Sequence, residues 1–448
     1  MVKVLHLSDI HLGSGFSHGY INPETGLNSR FEDFVLALER CVDRALEESV
    51  DVVLFGGDAF PTATPPPYAQ DAFAKQFRRL VDAHIPTVML VGNHDQFAQG
   101  QGGASLCIYR TLGVPNVIVG DRLTTHRINT QHGDIQVITL PWLNHSTLLT
   151  RPETDGRSMA EINEFLLSRL RTALEGEIRQ LDDTLPTILL AHLMVDTAQF
   201  GAEKFLAVGK GVTVPMALLC RPCFDYVALG HIHRHQVLCQ EPPVVYPGSI
   251  ERVDFSEESE EKGYILADVN RGSASIQFCP LPARPFRTIR VDLSTEETPH
   301  DVLCRTIHEV IVKDAVVRLI YYIRPDQLES IHHTEIHQAL EEAHTYTTHP
   351  ELVSQLAHPR LPELGLGQDI SPIDALKTYM EHQTNLQDFA KDLLGAAEVL
   401  LTQNTDDFSA ALVIMEREEP STASAVYEEP ARYCKTESEP SINQLRLI

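Results

Sequence analysis

The chain has 448 residues and carries 36 lysines and arginines against 62 aspartates and glutamates, a formal net charge of −26. That balance excludes a protein that grips nucleic acid through a broad basic surface or sits on anionic lipid, and taken alone it points to an enzyme of small molecules. With 43% hydrophobic residues the chain can bury a sizeable core, and its length leaves room for about two to three domains.

The opening residues MVKVLHLSDIHLG are interrupted by His6, Asp9 and His11, so they read as neither a signal peptide nor an anchor. No run of about 18 apolar residues occurs. Eight cysteines are too sparse for a disulfide framework, and Cys220 and Cys223 form a CxxC with no second pair to complete a zinc site. The expected compartment is the cytoplasm, with no membrane attachment.

Residues 2–7 are apolar apart from Lys3 and His6 and predict a strand ending at Ser8-Asp9. Residues 29–49 place Phe31, Phe34, Val35, Leu38, Val42, Ala45 and Leu46 at helical spacing. A buried-type strand at 52–55 runs into Gly56-Gly57-Asp58, a helix follows over 71–84, and a strand at 87–91 runs into Gly92-Asn93-His94-Asp95. Further strands are predicted at 135–140, 187–191, 226–229, 244–246 and 263–269, with a helix over 159–181. Strands alternating with helices predict βαβ units and an α/β fold.

The segment 256–262, SEESEEK, is a charge run and reads as a solvated loop. Pro280, Pro282 and Pro285 then mark a linker. Strands at 288–293 and 316–323 around a helix over 298–311 predict a small α+β domain. Ser371-Pro372 is a helix start signal, and Leu376, Tyr379, Met380, Gln383, Leu386, Phe389, Leu393 and Leu400 trace one mostly apolar stripe beyond it. The Glu-, Ser- and Pro-rich tail is expected to be disordered. The expected division is 1–280, 281–355, 356–415 and a tail over 416–448.

Five points place metal-type ligands just after predicted strands: Asp9-x-His11, Asp58, Asn93-His94-Asp95, His192 and Gly230-His231-x-His233. In an α/β sheet functional residues gather at the carboxyl ends of strands, so these points can converge. Each fragment alone has a bland reading: a turn, or a satisfied core histidine. Their joint occurrence in order is what predicts a metal centre. Imidazole with carboxylate suits Mn, Fe or Zn, and seven ligands serve two ions if one carboxylate bridges. Two ions about 3.5–4 Å apart can clamp the attacking and leaving oxygens of a phosphate ester and ionise a bound water.

These residues resemble the ligand set of the calcineurin-like metallophosphoesterases. The resemblance implies a two-layer β-sandwich flanked by helices, joined here by a small α+β capping domain and C-terminal helices. It also implies that Asp9, His11, Asp58 and His233 hold one ion, and that a bridging Asp58, Asn93, His192 and His231 hold the other, with Mn²⁺ the expected metal. His94 would act beside the scissile phosphate, with Asp95 fixing its ring.

Within that family, Leu5 to Gly13, Gly57-Asp58-Ala59-Phe60 and Tyr246 to Arg252 (YPGSIER) resemble the SbcD group of bacterial double-strand-break nucleases. That resemblance implies DNA as substrate, exonuclease and endonuclease action in repair, replication and recombination, an SbcC-type ATPase partner seated on the C-terminal helices, and pairing of two nuclease domains, with the 29–49 region one open choice of interface. Relatives often carry a histidine after the GDxF stretch; here it is Pro61. Arg78, Arg79, Arg284, Arg287 and Arg290 are candidate DNA contacts. The alternatives are a phosphatase or phosphodiesterase acting on a small nucleotide or phosphoprotein, which the acidic charge favours, and a non-catalytic scaffold, which the complete ligand set disfavours.

Overall fold

The computed structural model describes residues 1–96, 103–143, 156–199 and 212–353, together with positions 373, 376, 377, 380, 393–395 and 397. Short Val-, Leu- and Ile-rich runs bounded by turn residues become strands of two six-stranded sheets. The first sheet runs in the order β14 (Ser273–Pro280), β13 (Gly263–Asn270), β1 (Val2–Leu7), β2 (Val52–Phe55), β3 (Thr87–Leu90), β4 (Val117–Gly120). The second runs β11 (Gln236–Gln240), β12 (Pro243–Tyr246), β10 (Tyr226–Gly230), β7 (Thr187–His192), β6 (Gly133–Leu140), β5 (Thr124–Thr130). A short parallel pair, β8 (Met194–Val195) and β9 (Thr213–Val214), follows β7. The central strands of each sheet are parallel, and antiparallel hairpin strands lie toward the edges.

The two sheets pack face to face. Val4, Val52, Leu54, Val88 and Leu90 meet Ile135, Val137, Ile188, Leu190 and Ala228 in a fully buried layer. Because strand side chains alternate, Leu5, Leu7, Val53 and Phe55 face the other way, onto Phe34, Leu38 and Val42 of α1 (Ser29–Glu47) and Phe73 and Phe77 of α2 (Pro67–Asp82). On the far side Leu189, Ala191, Val227 and Leu229 pack with Leu170 and Leu174 of a later helix, Met159–Ile178. Burial on both faces explains why these strands read as continuous apolar runs. Local signals set the helix starts: Asn28 accepts a bond from the Arg30 N–H at the head of α1, and Ser158 and Glu161 form a reciprocal capping box. The architecture is the expected two-layer sandwich flanked by helices.

A third, parallel sheet of β15 (Phe286–Asp292), β16 (Val316–Ile323) and β17 (Thr345–Leu352) has its own core, with Ile289, Leu319 and Tyr321 packed against Leu303 and Ile307 of the helix Pro299–His308. Side chains fasten it to the sandwich. Arg284 grips Asp33 of α1 with two bonds of 2.5 and 2.6 Å, His344 meets Ser29 at 2.8 Å, and the Arg318 guanidinium lies 4.3 Å from the centre of the Phe255 ring. Residues Met1–Val353 accordingly form one compact unit and Ser354–Ile448 a second. In the second unit the positions described between 373 and 397 are helical, while the rest of the predicted stripe and the tail lie outside the described residues.

Candidate metal centre

The loops leaving β1, β2 and β3 meet the ends of β7 and β10. Main-chain bonds from Asp9 N–H to the Gly57 carbonyl and from His11 N–H to the Asp58 carbonyl, each 3.0 Å, lock the first two loops together. Across the sheets the His231 N–H donates to the Asp9 carboxylate at 3.0 Å. Asp9, His11, Asp58 and His231 all have left-handed backbone, with φ of 52°, 46°, 59° and 106°. Such conformations cost about 1–3 kcal/mol each and persist only where the surroundings impose them. Here they turn four donors inward from strand ends.

Two glycines make room. At Gly57, with φ +101°, an added Cβ would lie 2.6 Å from His192 Nδ1; at Gly92 it would lie 2.2 Å from Asp58 Oδ1. Any side chain at either place would collide with a ligand.

The seven expected ligands converge. Donor atoms of Asp9, His11 and His233, and of Asp58, His192 and His231, lie within 4.8 Å of one another in two adjoining groups. Asp58 belongs between them, its Oδ2 3.4 Å from His192 Nε2 and 3.7 Å from His11 Nε2. Asn93 Oδ1 completes the second group, 2.9 Å from both His192 Nε2 and His231 Nδ1. His192 Nδ1 lies 2.7 Å from the Gly56 carbonyl, which only accepts, so that nitrogen carries a proton, and a cation replacing any proton on Nε2 meets a lone pair there. That lone pair faces an amide oxygen and a carboxylate. Likewise His11 Nε2 and His233 Nε2 face each other at 3.0 Å, where a single proton is the most that fits. Buried lone pairs pointed at common centres are a donor set for cations, and the mixture of N and O atoms fits two ions of the Mn, Fe or Zn type.

The electrostatics agree. Burial pushes Asp58 up, but the histidines around it, His192 first, hold its carboxyl well below the usual range. Burial lowers His192, yet Asp58 and Asp9 overcome this and raise it to about 9, so a proton holds the Nε2 place that a cation would take. The site therefore attracts positive charge. His11 and His231 are pushed well below the usual imidazole range, by burial first and then by neighbouring histidines, which keeps them neutral and able to ligate.

His94 is half-buried beside this centre, its ring centroid 5.0 Å from that of His11 and its main-chain N–H donating to Asp58 Oδ1 at 2.8 Å. The expectation that Asp95 fixes the His94 ring is corrected. Asp95 is fully buried and accepts from the main-chain N–H groups of Gly92, Asp58 and Ala59 at 2.9–3.1 Å, so it ties the two ligand loops together. The His94 ring is held instead through Nδ1 by the carbonyl of Pro61, at 2.9 Å. A backbone oxygen does this whatever side chain follows the GDxF stretch.

The acidic segment is a second correction. Within the predicted solvated loop, Glu257 and Lys262 are 4% and 1% exposed. Lys262 Nζ lies 2.8 Å from both Glu257 and Glu260, and Glu257 Oε1 is 2.6 Å from His233 Nδ1. Periodicity gave no sign of this, because a charge run with one lysine looks solvated until the fold closes over it. Trp142 was also missed: its ring packs 4.7 Å from that of His231. His6, by contrast, is a satisfied core histidine, bonded to the Tyr226 hydroxyl and the Leu229 carbonyl.

The arginines divide. Arg284 is spent on Asp33 and the Asp314 carbonyl, whereas Arg79 is partly exposed and pairs with Asp43 of α1. Arg78 is exposed and paired with Asp82 on its own helix. Arg287 bonds the Phe286 carbonyl, and Arg290 is exposed on β15.

Among solved structures, the chain is similar to a dimetal phosphatase from Danio rerio at 12% identity, covering 62% of this chain and 99% of that one with a TM-score of 0.37. It is similar also to the protein TT1561 of Thermus thermophilus at 18% identity, covering 62% and 98% with a TM-score of 0.34. No helix among the described residues is long and apolar enough to cross a membrane. The family model for calcineurin-like phosphoesterases matches residues 2–235, more than half of the chain and the whole span from Asp9 to His233. The chain belongs to the calcineurin-like phosphoesterase family, and is a metal-dependent hydrolase of phosphoester bonds.

Proposed function

We propose that this chain is the nuclease subunit of an SbcD-type complex, cutting DNA phosphodiesters in the cytoplasm with Mn²⁺ in both ion positions and an SbcC-type ATPase as partner. The observation that carries the reading is the YPGSIER segment and where it lies. Gly248 passes so close to His233 that an added Cβ would sit 2.7 Å from its carbonyl oxygen. Further along the segment, Arg252 donates to the carbonyls of Glu257, Glu260, Ala283 and Arg284. The segment thus links the metal centre to the stretch that leads into the third sheet, an arrangement that suits a DNA-capping element.

Two divalent ions, when bound, supply Lewis acidity toward the phosphoryl oxygens and a water acidic enough to attack. Asp9, His11, Asp58 and His233 would hold one, and Asp58, Asn93, His192 and His231 the other. His94, its Nδ1 proton committed to Pro61, keeps Nε2 for the substrate, where it would stabilise charge on the phosphate and give the leaving sugar oxygen a proton. Trp142 packs against the His231 ring, centroids 4.7 Å apart. In the DNA complex Arg78, Arg79, Arg287 and Arg290 are the candidate phosphate contacts, with Arg284 already engaged by Asp33. Two copies would pair through α1, where Leu36 and Tyr68 of the α1–α2 groove are 44% and 42% exposed.

The acidic charge favours the second reading, a phosphodiesterase of small substrates. Incubation with Mn²⁺ and a hairpin or blocked-end duplex, with and without the ATPase, separates the two. Cleavage that rises with the ATPase is expected. Turnover of a small phosphodiester with no DNA cleavage would establish the second reading instead.

A further inference from the structure

Each imidazole of the centre needs its other nitrogen settled, because the proton on one nitrogen decides whether the opposite one offers a lone pair. For His192 a main-chain carbonyl does this. On Nδ1 of His233 the partner is a side chain, and it comes from the segment after the family match ends at residue 235.

We infer that Glu257, anchored by Lys262, is a positioning residue that fixes the His233 tautomer and strengthens the ion position served by Asp9, His11 and His233. Glu257 Oε1 sits 2.6 Å from His233 Nδ1, a charge-assisted geometry that places the proton on Nδ1 and turns the Nε2 lone pair toward His11. The other oxygen is not idle. It accepts from the Val253 N–H at 3.0 Å and lies 2.8 Å from Lys262 Nζ, so the carboxylate cannot rotate away. Lys262 itself is fully buried and makes a further bond to the His233 carbonyl at 3.2 Å. A buried lysine needs such partners, since an unpaired charge in the interior is costly.

The arrangement is one closed circuit: His233 imidazole, Glu257, Lys262, His233 main chain. Its effect is to place a fixed negative charge behind one ligand. An imidazole backed by an ionised carboxylate is a stronger donor than one backed by a neutral carbonyl, and removing such a partner lowers metal affinity by roughly ten- to a hundredfold. The two ion positions are therefore unequal, with Glu257 acting on one of them.

This inference rests on the dimetal reading of the site, and the test separates the two. Mn²⁺ binding to the full chain is measured by equilibrium titration for the natural protein and for Glu257→Gln and Glu257→Ala, with apo melting temperatures and ¹⁵N-histidine spectra recorded alongside. The natural protein should bind two Mn²⁺. Glu257→Gln, which can still accept from Nδ1, should keep the His233 tautomer in the spectra while weakening one of the two ions by roughly tenfold. Glu257→Ala should lose the tautomer preference and weaken the same ion further. Two ions held with natural affinity in both folded variants would overturn the inference while leaving the dimetal reading intact. Equal weakening of both ions with a fall in apo melting temperature would overturn it too, by reducing Glu257 to a fold support. A natural protein that binds no Mn²⁺ would overturn the dimetal reading itself.

Discussion

His192 and His233 occupy comparable places, each at or just past the end of a strand with its far nitrogen bonded inward, yet they are held by different means. Behind His192 stands the main-chain carbonyl of Gly56, the residue just past β2, which is present in any sequence that folds this way. Behind His233 stands Glu257, a side chain reached only after the chain has left the matched segment and been pulled back by Lys262 and Arg252. The difference teaches that one half of the centre comes with the fold, whereas the other depends on an added segment and can be tuned by substitution.

The sharpest way to break that comparison is to remove what both halves share. Asp58→Asn should strip both ions, measured as metal per chain after dialysis; full stoichiometry would contradict its bridging place. Gly92→Ala should come close behind. Its Cβ would press on Asp58 Oδ1 and displace the same ligand from a loop rather than by chemistry. His94→Gln should instead leave metal content nearly unchanged while lowering cleavage by about a hundred- to ten-thousandfold. If metal and cleavage fell together, His94 would be structural.

Smaller effects test the outer parts. Arg284→Ala removes the paired bonds to Asp33 that tie the third sheet to α1, and should cost about 1–3 kcal/mol in denaturant unfolding. An unchanged midpoint would show that the other ties suffice. Arg78→Ala should lie within about 0.5 kcal/mol of the natural protein, since its exposed pair with Asp82 contributes little. A drop in DNA affinity that is steeper at low salt would mark Arg78 as a phosphate contact.

Much of the centre was legible in the chain because its ligands come in short motifs at the ends of apolar runs. Buried parallel strands such as β2 and β7 announce themselves by composition, and Asp58 and His192 follow at once. Edge strands did not. Polar residues on the open faces of β14 (SASIQFCP) and β17 (TYTTHPEL) left no apolar run to read. The two corrections at the site share a cause: Asp95 and Glu257 act through partners distant in sequence, Asp58 at 37 positions and His233 at 24.

The charge of −26 narrows in the same way. Asp9 and Asp58 lie at the ion positions, and Glu257 and Glu260 share the buried Lys262, so part of the acidic excess is internal rather than spread over the surface. The sequence by itself determined the α/β pattern and the five strand-end points that carry the candidate ligands and His94, because strand composition and short-range spacing are local properties. Only the tertiary structure decided which oxygen fixes His94, what Asp95 holds and that Glu257 and Lys262 of an acidic run are buried behind His233. Each depends on which distant backbone and side-chain groups the closed fold brings within hydrogen-bond reach.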